Sequence, residues 1–64
     1  MTEQEIANQL KVLAERMKAL GEAMKQHSNT EMQKHGAELA GAGEIAKQWV
    51  YAIECNFNLR STND

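Results

Sequence analysis

Residues 6–24 read IANQLKVLAERMKALGEAM, and the spacing of the large apolar side chains in this stretch decides how the chain folds. Ile6, Leu10, Leu13, Met17, Leu20 and Met24 follow one another at steps of four and three. That alternation is the a/d seam of a helix packed against another helix, sustained for nearly three heptads. Just upstream, Thr2 and Glu5 form a capping-box pattern, in which a hydroxyl and a carboxylate satisfy the free N–H groups of the first turn. Glu3 and Glu5 lie near the positive end of the helix dipole and Lys25 near its negative end. Gly21 weakens this helix by up to about 1 kcal/mol relative to alanine without ending it. The spacing predicts a first helix over about 3–27.

The pattern then breaks at His27-Ser28-Asn29-Thr30. Ser28 and Glu31 repeat the capping-box spacing, and three capping residues in a row announce a second helix without fixing which of them is the cap. This helix is expected over about 30–56. Its seam is Met32, His35, Leu39, Ala42, Ala46, Trp49 and Ile53. At about 100° per residue, Gly36, Gly43, Val50 and Phe57 form an apolar flank, and Ile45 widens the arc on the other side. The stripe on helix 1 is narrow and that on helix 2 broad, so helix 2 is expected to be the central one, docking a second chain as well as its own partner. The connection is short, which makes the helices antiparallel neighbours. The fold class is all-α: an antiparallel helical hairpin, residues 1–57, with a flexible polar tail over 58–64.

Length turns the hairpin into an expectation of assembly. A chain of 64 residues buries too little of its surface to be comfortably stable alone, and such chains add disulfides, a metal or a partner subunit. One cysteine, Cys55, permits no internal disulfide. The hairpin is therefore expected to form a homo-oligomeric helical bundle, at least a dimer. The lone thiol, the acidic start Met1-Thr2-Glu3-Gln4-Glu5 in place of a basic leader, and the lack of an apolar run long enough to span a bilayer point to a cytoplasmic protein with no membrane partner. A formal net charge of −2 removes the bulk-charge argument for nucleic-acid binding.

Several residues are candidates for function. Gly36, Gly41 and Gly43 interrupt helix 2, each weakening it by about 1 kcal/mol. Gly36, Ala40 and Gly43 lie along one side, where another backbone or a flat ligand would come close. Of the three aromatics, Trp49 sits on the seam and reads as core. Tyr51 points away from it, near Lys47 and Arg60, where it would stack on a base or anchor a partner. Lys11, Lys18 and Lys25 recur every seven residues, but Glu15 and Glu22 follow at i+4, so the face reads as mixed and solvated. His27, Glu31, His35 and Cys55 lack a dedicated metal spacing, and no metal or cofactor is expected. The carboxylates are spread along solvated faces, and Cys55 has no visible orienting group or oxyanion donor set. No catalytic residue is assigned, and the reading is non-enzymatic.

Two resemblances accompany this reading. The chain length, the start Met1-Thr2-x-Gln4-Glu5, the two antiparallel helices and the polar tail after Phe57 resemble the plasmid copy-number regulator Rop. That family forms a dimeric four-helix bundle that binds paired RNA loops. Its RNA face uses an aromatic in the middle of helix 1, where this chain has none, and no RNA-binding residue is carried over. The segment Glu44-x-Ala46-x-x-Trp49-x-x-Ala52, followed by Ile53, is similar to the closing helix of phage anti-CBASS sponge proteins, small helical oligomers that sequester cyclic oligonucleotide signals. That match covers about a third of the chain and likewise transfers no binding residue. Together they imply a non-enzymatic oligomer from a phage or mobile element that sequesters a cyclic nucleotide or a host protein. An RNA-binding bundle of the Rop kind, or a purely structural interaction hairpin, is the alternative. Under the sequestration reading Gly36, Ala40, Gly43, Lys47, Tyr51 and Arg60 would line the ligand site. Ile6, Leu10, Leu13, Met17, Leu20, Met24, Met32, His35, Leu39, Ala42, Ile45, Ala46, Trp49, Val50 and Ile53 would form the core and oligomer interface.

Overall fold

A computed structural model describes residues 1–58. Two helices, α1 (Glu3–Lys25) and α2 (Thr30–Asn56), pack against each other as an antiparallel hairpin. The capping box at the start of α1 is formed: Glu5 N–H donates to Thr2 Oγ1 and Thr2 N–H to Glu5 Oε1. Helix α1 ends two residues earlier than expected, because the Gln26 and His27 N–H groups tighten onto the carbonyls of Glu22, Ala23 and Met24. Asn29, not Ser28, caps α2, its side-chain oxygen accepting from Met32 N–H. The turn is tied further by Gln33 Nε2 donating to the His27 carbonyl and Asn29 N–H donating to His27 Nδ1. At the far end Asn58 adopts φ 60°, the left-handed conformation that closes helices and that asparagine tolerates.

The seam between the helices lies one row away from the large-residue pattern. Ala7, Ala14 and Gly21 are buried on α1, and Gly36, Gly43, Ala46 and Val50 on α2. A methyl built on Gly21 would lie 2.6 Å from the Gly36 carbonyl oxygen and 2.6 Å from the Ala40 nitrogen. One built on Gly36 would lie 2.6 Å from the Gly21 carbonyl oxygen. On Gly43 it would meet the Ala14 carbonyl oxygen at 2.9 Å. Backbone therefore packs directly on backbone, which only residues without bulk permit. Each glycine sits between two residues of the facing helix: Gly21 between Gly36 and Ala40, Gly36 between Gly21 and Lys25, and Gly43 between Ala14 and Lys18.

Leu10, Met17 and Met24 on α1, and Leu39, Ala42 and Ile53 on α2, are half-buried beside this seam. Ile6, Leu13 and Leu20, expected in the core or the oligomer interface, are exposed in the single hairpin, Leu20 to 58%. So are Met32, His35, Ile45 and Trp49, the last also to 58%. The reason is geometric. Helices brought together by glycine and alanine sit too close for a second row of large side chains to fit between them. Neither helix is central within the hairpin: each contributes one buried small-residue row and one exposed large-residue row.

Candidate functional site

The close seam divides the hairpin into two long sides of opposite character. In both helices the residue one position before each seam residue lies about 100° away from the partner helix, on a common side. This side carries Ile6, Leu13 and Leu20 from α1 and His35, Ala42 and Trp49 from α2. The half-buried Leu10, Met17, Met24, Leu39 and Ile53, with Met32, form its floor. Its outer edges are Gln9 and Arg16 on α1, and Ile45, Glu38 and Glu31 on α2. His35 stands between the two carboxylates, its Nδ1 3.3 Å from Glu38 Oε1 and its Nε2 3.6 Å from Glu31 Oε1. The α2 edge is thus apolar towards the chain termini and acidic towards the turn.

The opposite side is polar. Lys18 reaches across from α1 to Glu44 on α2, Nζ to Oε2 at 2.6 Å. The bridging carboxylate holds the Lys18 ammonium above the usual lysine range, and Lys18 holds the Glu44 carboxyl below the usual carboxylate range. Both groups remain open to water, so the pair is screened and weak. Beside it Lys11, Glu44, Lys47, Gln48, Tyr51 and Glu54 line a shallow cleft with Val50 at its base. Lys25 pairs with Glu22 on its own helix at 3.2 Å.

The expected ligand residues are separated by this arrangement. Lys47 and Tyr51 meet in the polar cleft. Gly36 and Gly43 are covered by α1, so of the two occupants considered for this surface, another backbone or a flat ligand, it is the chain's own backbone that lies there. Ala40 is half-buried at the same seam, and Arg60 lies outside the described residues. The Lys18–Glu44 bridge and the part of Lys11 in the cleft were missed, since pairing across helices needs a register the sequence does not supply. The seven-residue recurrence of Ala7, Ala14 and Gly21 was the overlooked signal of the seam. Among the described residues no group of three or more histidine, cysteine or acidic side chains is arranged to hold a metal ion, and no helix is long and apolar enough to cross a membrane. No family model, curated protein or solved structure matches the chain.

Proposed function

We propose that this chain is a non-enzymatic, homo-oligomeric helical binding protein whose hairpin is one half of a four-helix bundle, and that a second copy docks on the apolar side. The observation that carries the reading is an inversion of the usual core. The buried apolar residues are Ala7, Ala14, Ala46 and Val50, no large side chain is fully buried among the described residues, and Ile6, Leu13, Leu20 and Trp49 stand exposed. At about 25 cal/mol per Å2 of apolar surface, a fully buried core of three alanines and a valine contributes little, and the half-buried and exposed large residues still hold stabilisation that a second copy would realise. A contiguous exposed stripe of this kind marks an association surface.

The area fits that occupant. The broad side of a 43 × 18 × 17 Å hairpin offers roughly 800 Å2, what each partner contributes to a standard stable interface. Light scattering or sedimentation at micromolar concentration tests the reading. A mass twice the 7.2 kDa of the chain, with helicity that falls on dilution, is the expected result; a folded monomer at all concentrations overturns it.

A second reading, sequestration of a small anionic ligand such as a cyclic nucleotide, rests on Lys11, Lys47 and Tyr51 sharing a cleft, together with Glu54 and the Lys18-paired Glu44, on the side that dimerisation would leave open. Calorimetric titration with a panel of cyclic nucleotides tests it, and absence of heat across the panel ends the nucleotide version.

A further inference from the structure

The apolar side also specifies how two copies face each other. We infer that the two hairpins of the dimer are related by a two-fold axis parallel to their length, with both turns at the same end and α1 of each chain against α2 of the other. This rests on the dimer reading above and goes beyond it, because a face-to-face pair has a second option. The axis could instead run across the hairpin, putting the turns at opposite ends, α1 against α1 and α2 against α2. Both options make every neighbouring helix pair antiparallel, so helix dipoles do not choose between them.

The uneven α2 edge does choose. A two-fold along the length permits no axial slip, so each level of one hairpin meets the same level of the other. Trp49, on the level of about residue 10 of its own α1, then falls between Ile6 and Leu13 of the partner subunit. Ile45 falls beside Leu13 of the partner subunit. The large exposed residues of α2 thus fill the gaps in the apolar row of α1, as knobs fill holes. Towards the turn, Glu38 and the partner's Arg16 lie on facing edges of the interface, roughly 7 Å apart along the axis, a gap that two long side chains span. Symmetry makes this contact twice, and in the single chain both side chains are exposed.

The crossed arrangement does the reverse when the two sides overlap fully. Trp49 would sit between His35 and Glu38 of the partner subunit, and Ile45 beside Ala42 of the partner subunit, against the acidic half of the edge where Glu31, His35 and Glu38 cluster. Arg16 would approach the partner's Arg16. Desolvating carboxylates against an indole and juxtaposing like charges both oppose association. Slipping the chains to pair Trp49 with its own copy would relieve this only by leaving Leu20 and Met32 uncovered.

Two measurements on the full chain test the arrangement. Sedimentation equilibrium is run on Arg16→Glu, Glu38→Arg and the double variant. Each single exchange is expected to weaken dimerisation by about tenfold, and the double exchange to restore it to within about threefold of the parent. A Glu38→Gln control separates loss of the His35 contact from charge repulsion. An Arg16→Glu variant that dimerises as well as the parent overturns the inference, because the crossed arrangement only exchanges one like-charge pair for another. The second measurement uses the exposed native cysteine, Cys55, carrying a nitroxide label. The lengthwise axis puts the two Cys55 side chains roughly 25 Å apart across the bundle diagonal. The crosswise axis puts them roughly 40 Å apart, near opposite ends. The longer distance in a species of dimer mass sinks the arrangement and leaves the dimer standing; a monomer mass sinks both.

Discussion

The seam between the two helices and the apolar side next to it are built from opposite materials. The seam is Ala7, Ala14 and Gly21 against Gly36, Gly43 and Val50, and it is buried. One residue earlier at each step come Ile6, Leu13 and Leu20, and on α2 His35 and Trp49, and here large side chains stand in the open. The seam uses closeness: backbone meets backbone, and dispersion between well-fitted atoms replaces the burial of bulky groups. The side uses area, and a single hairpin leaves that area facing water. In the proposed dimer this side is where the second layer would fit.

The comparison breaks most visibly at Trp49. Trp49→Ala is expected to weaken association by about 2–4 kcal/mol, the range for a large aromatic anchor lost from an interface. The loss should grow on dilution in sedimentation or concentration-dependent melting. An equal change at every concentration would place Trp49 outside the subunit contact.

Gly36→Ala attacks the seam instead. The new methyl would meet the Gly21 carbonyl oxygen at 2.6 Å, Met24 Cβ at 2.7 Å and the Lys25 nitrogen at 2.8 Å. Two of these are backbone atoms that cannot turn aside. Overpacking should exceed the gain in helix propensity and lower stability by about 1–2 kcal/mol in denaturant titrations. A rise in stability would mean the helices do not approach this closely.

Gly41 is the control. A methyl there meets nothing within 4 Å, so Gly41→Ala should stabilise the fold by up to about 1 kcal/mol through propensity alone. The two alanine substitutions sit five residues apart on one helix and should move the melting curve in opposite directions.

The smallest effect belongs to the polar side. The folded chain holds the Glu44 carboxyl below its ordinary range, so its contribution is present above the unfolded-state value and is lost as pH falls through the carboxylate range. Lys18 is held above its ordinary range, so its contribution is present below the unfolded-state value and is lost as pH rises through the lysine range. Glu44→Gln should therefore change stability slightly near neutral pH and flatten both drifts, the more so at low salt. A drift of unchanged size in the variant would assign it to other groups.

The elements themselves were legible in the chain. Thr2 and Glu5 mark the first helix, the run around Asn29 marks the second, and both appear within two residues of the expected bounds. The glycines of α2 were also legible as a place of close approach. What approaches Gly36 is Gly21 of the same chain, a partner that the reading of α1 had passed over as a mild defect. The placement of Lys47 and Tyr51 in one cleft follows from helical spacing, while the inclusion of Lys11 needed the register between helices.

Local chemistry and periodicity, both carried by near neighbours in the chain, determined the two helices, their caps and the turn between them. They could not determine which face turned inward. Ile6–Leu13–Leu20, Ala7–Ala14–Gly21, Leu10–Met17–Met24 and Lys11–Lys18–Lys25 all repeat every seven residues, so periodicity names four rows and ranks them only by hydrophobicity. The tertiary structure chose the row of small residues, because the distance between two helix axes is set by the bulk between them. Glycine and alanine allow an approach that excludes larger side chains. That choice moved the large apolar row from the centre of the hairpin to its side.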